Sequence, residues 1–201
     1  MELAEALRRR RMVRNFTGNL VPGPVLDGIL AASLRTPSAG NSRGWDAVVL
    51  EGPEQTAPFW AATTTEEWRA ASSRWPGLGR AAVVVALFAH PESYVARYRE
   101  PDKARSGLGE GPEAWPVPYW FVDVGQAVLA LLLAAVDAGL GACFLGNFRG
   151  EAALRQTLGV PDDRRYVGAV LVGEADPDDP PSSSSGRPPR SPEAVFHRAA
   201  W

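Results

Sequence analysis

The strongest constraint on the fold of this chain is the stretch from about Tyr119 to Ala138, built mostly of Ala, Leu and Val and stopping at Gly139. Alanine and leucine favour the helix, and a glycine just past the last turn takes the left-handed conformation that ends one. Apolar residues fall on almost every side of this helix, so it is expected to be central and buried. Its most apolar part, Ala127 to Val136, is bounded by Gln126 and Asp137, well short of the roughly 20 residues that cross a bilayer. A second apolar run, Ala81 to Phe88, is continuous and of strand length, which fits a strand covered on both faces.

Shorter elements surround these two. Residues 2 to 11 read as a helix that ends in the basic cluster Arg8 to Arg11. Pro22 and Pro24 open a second helix, with Leu26, Ile29, Leu30 and Leu34 at helical spacing and a stop before Pro37. Asp46 to Leu50, Ala142 to Leu145 and Tyr166 to Val172 read as strands, and Pro91 to Glu100 and Glu151 to Leu158 as helices. From Glu51 to Gly79 no regular pattern emerges. Pro101 to Pro118 contains four prolines and three glycines, so it reads as a long loop of the kind that often covers a binding site. No glycine-rich turn follows an early strand, so the Rossmann fingerprint is absent. The expected class is α+β, a sheet wrapped by helices around one long buried helix.

The chain has 201 residues, enough for one ordinary domain with a sizeable core. That domain is expected over residues 1–175. Residues 176–201 read as a Pro/Ser-rich linker and an arm, because Asp176 to Pro189 holds five prolines and four consecutive serines. The chain then resumes with Glu193-Ala194-Val195-Phe196-His197 and ends in Trp201. An aromatic tail after such a linker needs a surface to pack on, and a partner subunit supplies one. The net charge of −2 gives no reason to expect nucleic acid or an anionic membrane as partner. Cys143 is the only cysteine, which rules out an internal disulfide and a cysteine-based zinc site and suits a small buried residue. The N-terminus lacks the apolar core of a signal peptide, so a cytoplasmic protein is expected.

Four segments carry candidate chemistry. In Arg10-Arg11-Met12-Val13-Arg14, the i, i+4 arginines would share a helix face and, with a bend near Met12, close on one phosphate. The same run also reads as a solvated basic face. Pro37-Ser38-Ala39-Gly40-Asn41-Ser42 is good turn chemistry. It also lets backbone approach a flat ring, with Asn41 able to read a donor–acceptor edge. In Phe144-Leu145-Gly146-Asn147, which reads as strand and turn, Gly146 would allow a backbone N–H close to a ligand. Arg187 or Arg190 beyond the linker is either solvated charge or a returning phosphate ligand. Trp115, Tyr119 and Trp120 either wall a ligand or belong to the core, and neither His90 nor His197 stands in a recognisable acid–base constellation.

In this order, the four elements resemble the FMN-dependent nitroreductase superfamily, from about Glu5 to His197. The resemblance implies a mostly antiparallel sheet, an intertwined homodimer and FMN at the interface. It assigns Arg10, Arg11, Met12 and Arg14 to the FMN phosphate and ribityl chain, and Pro37, Ser38, Ala39 and Asn41 to the ring bound by the other subunit. Phe144, Leu145, Gly146 and Asn147 would lie beside the ring. Arg190, with Arg187 in support, would return to the phosphate; the family's second basic position here is Pro188. The implied activity is ping-pong transfer from NADH or NADPH to a nitroarene, quinone or enone, with no catalytic side chain nominated. The same superfamily also includes oxidative dehydrogenases, reductive dehalogenases and flavin-fragmenting enzymes, and flavin binding without turnover is a further alternative.

Overall fold

The apolar run around residue 85 forms an inner strand of a four-stranded sheet. In the computed structural model, which describes residues 1–71, 75–146 and 149–201 and only the backbone of 69–71, the strands are Trp45–Glu51 (β1), Val83–Ala89 (β2), Gly141–Leu145 (β3) and Arg165–Gly173 (β4). Their order is β1-β2-β4-β3, and every neighbouring pair is antiparallel. Val85 stands opposite both Val49 and Val170, and Phe144 opposite Val170. The register slips between Leu87 and Phe88, leaving Val167 of β4 unpaired beside Gly168. There an added Cβ would meet the Phe144 ring at 2.6 Å, so only glycine lets β3 and β4 stay paired.

Side chains alternate across a strand, and β2 is buried at every position, so both faces must be covered. Val83, Val85, Leu87 and Ala89 pack under the long helix Tyr119–Asp137 (α6), against Val124, Val128, Leu131 and Leu132. Val84, Ala86 and Phe88 pack under Phe59 and Trp60 of Gly52–Thr63 (α3) and Leu154 of Glu151–Thr157 (α7). The helices Leu3–Arg9 (α1) and Gly23–Ser33 (α2) pack on α6, while Glu66–Ala71 (α4) and Pro91–Tyr98 (α5) complete the set. The architecture is therefore α+β with a helical layer on each face of an antiparallel sheet.

Three expectations need correction. The first helix stops at Arg9 instead of running to residue 11, so Arg10 and Arg14 share no helix face. The unpatterned stretch after Glu51 is helical. Pro53 sits in the first turn of α3, where its missing N–H leaves no helical bond unmade. Thr56 and Thr63 return their hydroxyls to the carbonyls of Gly52 and Phe59 at 2.9 and 2.7 Å. Finally, α6 is buried on its inner side only. Tyr119, Phe121, Val122 and Leu129 are exposed, which leaves an apolar strip on the outside. At 19 residues α6 is apolar enough to cross a membrane by length and composition, yet its inner residues form the core against the sheet.

The second turn of α6 also organises distant segments. The buried Asp123 carboxylate accepts from the Tyr94 hydroxyl at 2.7 Å, the Ala39 N–H at 2.9 Å and the Gln126 amide at 3.2 Å. Burial, and then the adjacent carboxylate, push the Tyr94 hydroxyl far above the usual tyrosine range, so it remains a donor at any physiological pH. The 101–118 loop folds only into the single turns Ala104–Ser106 and Pro112–Ala114. Trp115 pins it: the ring is buried edge-on to Tyr94 and Trp120, and its indole N–H reaches the Leu108 carbonyl at 2.9 Å.

Gly150 measures how tightly the far layer is packed. Its φ is 77°, and a Cβ there would stand 2.1 Å from the Ala62 carbonyl oxygen at the end of α3. Gly159 has a φ of 64° but open space around it. Left-handed strain alone costs about 1–2 kcal/mol, worth roughly 2–4 °C per kcal/mol in a chain of this size. Gly159→Ala is expected to lower the melting temperature by that amount and Gly150→Ala by distinctly more, measured by thermal unfolding. Equal losses would show that the α3–α7 contact is looser than described.

Candidate functional site

Where α1 ends, the basic segment continues as extended chain that meets β3 through a single bridge. Arg10 turns to an extended conformation (φ −59°, ψ 122°), Met12 pairs in parallel with Ala142, and the Val13 N–H donates to the Ala142 carbonyl at 2.9 Å. Val13 is buried against Gly141, where a Cβ would meet it at 2.9 Å. Glycine at the start of β3 thus admits the N-terminal strand. Consecutive N–H groups of Arg14 and Asn15 then turn to a single acceptor, Asp179 Oδ1.

Asp179 secures this segment. Its side chain, 1 % exposed, pairs with the Arg11 guanidinium and accepts the backbone N–H groups of Arg14 and Asn15 at 3.2 and 2.8 Å. A buried carboxylate with three donors is well satisfied, and removing any of them would be costly. Phe16 bridges Ala175, and the Asn15 carbonyl accepts from the Asp176 N–H at 2.9 Å. The first residues of the expected linker, 176–179, are therefore part of the body. Arg14 lies with its guanidinium 5.0 Å from the centre of the Trp75 ring and reaches the Met12 carbonyl at 3.4 Å.

The Phe144 N–H points at the Met12 sulfur at 3.4 Å, so the basic strand and the end of β3 are in direct contact. Beyond Phe144, Leu145 and Gly146 line a cleft of about 560 Å³ together with Thr63, Thr65, Trp68 and Arg149. That volume lies within the usual range for small-molecule sites. Asn147 lies outside the described residues. Thr63, Thr65 and Arg149 carry no motif, and only the fold brings them to the cleft.

The other two segments lie elsewhere in the chain. Pro37, Ser38, Ala39 and Asn41 belong to a turn between α2 and β1, with single-turn helix at Ala39–Asn41. This turn packs on α5 and α6 and borders a second cleft of about 330 Å³ lined by Leu30, Leu34, Ser38, Arg43 and Trp45. Arg187 and Arg190 are exposed on the arm, where Arg190 bonds the Ala194 carbonyl. One chain thus brings the first and third segments together and leaves the second and fourth apart. His90 does have partners: Ser93 Oγ lies 2.6 Å from its Nδ1 and Asp163 lies 3.2 Å from its Nε2, which ties α5 to the start of β4. His197 stacks on Trp201 at 4.3 Å. Cys143 is buried, and burial raises its thiol pKa, so it is inert as a nucleophile.

Comparison with known proteins adds an independent line. The model of the nitroreductase family matches residues 7–174. The 5,6-dimethylbenzimidazole synthase of Rhodobacter capsulatus is 28 % identical over 212 aligned positions, covering 99 % of this chain and 90 % of its own. An NADH dehydrogenase of Thermus thermophilus is 29 % identical, with 86 % of each protein covered. An FMN-dependent nitroreductase from Clostridium difficile R20291 has the same fold, with a TM-score of 0.68 at 19 % identity, covering 99 % of this chain and all of that one. The chain belongs to the nitroreductase family.

Proposed function

We propose that this protein is a homodimeric, cytoplasmic FMN-dependent NAD(P)H oxidoreductase that reduces flat, electron-poor acceptors of the nitroarene, quinone or enone class. One observation supports the reading: Met12 bridges Ala142 of β3 and its sulfur meets the Phe144 N–H, next in the chain to Leu145 and Gly146, which line the cleft.

The donor set suits FMN. Arg10 and Arg14 would offer charge-assisted hydrogen bonds to a phosphate, with Arg149 at the cleft as a further cation. The Arg11 side chain holds Asp179, so Arg11 supports the site by fixing the strand. Phe144, Leu145, Gly146 and Asn147 offer backbone and a side-chain-free step for a planar ring. When bound, FMN supplies the redox chemistry, hydride capture from NADH or NADPH and delivery to the acceptor. The protein's groups anchor the phosphate, orient the ring and keep its edge among fixed dipoles.

A second copy completes the site in this reading. The exposed strip Tyr119, Phe121, Val122 and Leu129 on α6 is a surface that association would bury. The arm beyond residue 179, with Val195, Phe196 and Trp201 exposed, then packs on the partner and brings Arg187 and Arg190 toward the phosphate. The partner's turn supplies Pro37, Ser38, Ala39 and Asn41. The relative that aligns over 99 % of the chain is a synthase, which supports a second reading: the same flavin site running oxidative, dehalogenating or flavin-fragmenting chemistry.

The protein loaded with FMN is expected to show a bound-flavin spectrum that bleaches anaerobically with NADH or NADPH and recovers on adding a quinone. Bound flavin that stays oxidised with both nucleotides would favour the second reading or flavin binding without turnover, and failure to bind FMN would reject both readings. Arg14→Ala is expected to weaken FMN binding roughly 10- to 150-fold, or about 1.5–3 kcal/mol for a lost charged hydrogen bond, by fluorescence titration. Unchanged affinity would remove Arg14 from the phosphate site.

A further inference from the structure

The turn that carries Asn41 passes through the left-handed region. Gly40 and Asn41, with φ of 60° and 57°, are residues that accept it, whereas Arg43, with φ of 50°, is a rarer occupant and needs the surroundings to fix it. The fixing groups are specific. The Ala39 N–H donates to Asp123 at 2.9 Å, Arg97 Nε donates to the Gly40 carbonyl at 2.9 Å, and the Arg43 N–H donates to Ser38 Oγ at 2.9 Å. The Tyr98 ring closes the remaining side, 2.6 Å from where a Gly40 Cβ would stand.

Within this frame, Arg43 Nε donates to Asn41 Oδ1 at 3.1 Å. A guanidinium has donors and no acceptor, so only the carbonyl end of the Asn41 amide can face it. The orientation of the amide, usually a matter of inference from its neighbours, is decided by this contact. The NH₂ end is left to point away from Arg43, so Asn41 offers donors to whatever it meets.

We infer that Arg43 is a positioning residue that holds Asn41 as a hydrogen-bond donor toward the flavin ring, and that this makes the site favour the reduced ring over the oxidised one. The inference rests on the flavin reading above and adds the sign of the contact. Reduction places extra electron density on the carbonyl side of the ring, and a fixed donor stabilises that density more than the oxidised ring. The positive charge of Arg43 acts in the same direction. An amide free to rotate would offer its carbonyl as readily as its NH₂ group, and the discrimination would be lost.

The test is the midpoint potential of bound FMN, with the affinities for oxidised and reduced FMN measured alongside. Arg43→Gln removes the charge and presents both a donor and an acceptor to Asn41, so either amide orientation becomes possible. It is expected to lower the preference for reduced over oxidised flavin about tenfold, a midpoint about 30 mV more negative for a two-electron couple. Arg43→Lys keeps a donor-only cation and is expected to restore the wild-type potential. Asn41→Asp, which has no N–H to give, is expected to shift the midpoint the same way as Arg43→Gln and guards against a glutamine variant that fails to fold. An unchanged midpoint in Arg43→Gln or in Asn41→Asp with FMN bound would overturn the inference. Failure of the wild-type protein to bind FMN would overturn the flavin reading itself, and this inference with it.

Discussion

Much of this structure depends on the docking of residues 12–13 against β3. The contact is small: one parallel bridge, the Val13 N–H on the Ala142 carbonyl, and the Phe144 N–H on the Met12 sulfur. Its consequences are large because an extended strand sorts its side chains. Arg11 and Val13 turn inward to Asp179 and Gly141, while Met12 meets the Phe144 N–H and Arg14 lies over Trp75. Asp179 makes the arrangement rigid, since a carboxylate removed from water holds its donors firmly. It also ties the C-terminal linker to the N-terminal strand, so the arm leaves the body at a defined point.

The long helix has three separate tasks. Its inner face fills the core against β2 and β4. Its second turn carries Asp123, which links Tyr94 and the Ala39 backbone and sets the turn that carries Asn41 and Arg43. Its outer face stays apolar and uncovered in the single chain. These tasks are coupled by geometry. A shift of the helix on the sheet would move the turn, and covering the outer face would fix the helix in place. A site completed by a second copy would therefore depend on core packing as well as on the residues that touch the ligand.

Much of the fold could be read from the sequence. The strand near residue 85 is legible because burial on both faces leaves a continuous apolar run, the helix from Tyr119 because its outer face is apolar as well as its inner one, and Gly139, with φ of 77°, ends the helix as expected. Helix α3 was not legible: prolines and threonines blur its periodicity, and its support comes from α7, a hundred residues away. The basic segment was read as helical because four arginines in a row carry no strand signal. It is extended because Ala142 offers it a pairing partner, a fact of tertiary structure alone. For the same reason Asp123, Asp179, Arg43 and Arg149 went unnoticed. Each is an ordinary charged residue in sequence, and its role exists only through what lies beside it.

The central claim is that each flavin site draws on two copies of the chain, the basic strand of one and the Asn41 turn of the other. The most direct test mixes two variants, Arg14→Ala and Asn41→Ala, each impaired as a homodimer, and measures flavin binding after subunit exchange. In a mixed dimer one site carries both substitutions and the other neither. The account expects wild-type affinity to return at one site per mixed dimer. If mixing restores nothing while exchange is shown to occur, both residues serve a site within one chain and the composite site is wrong.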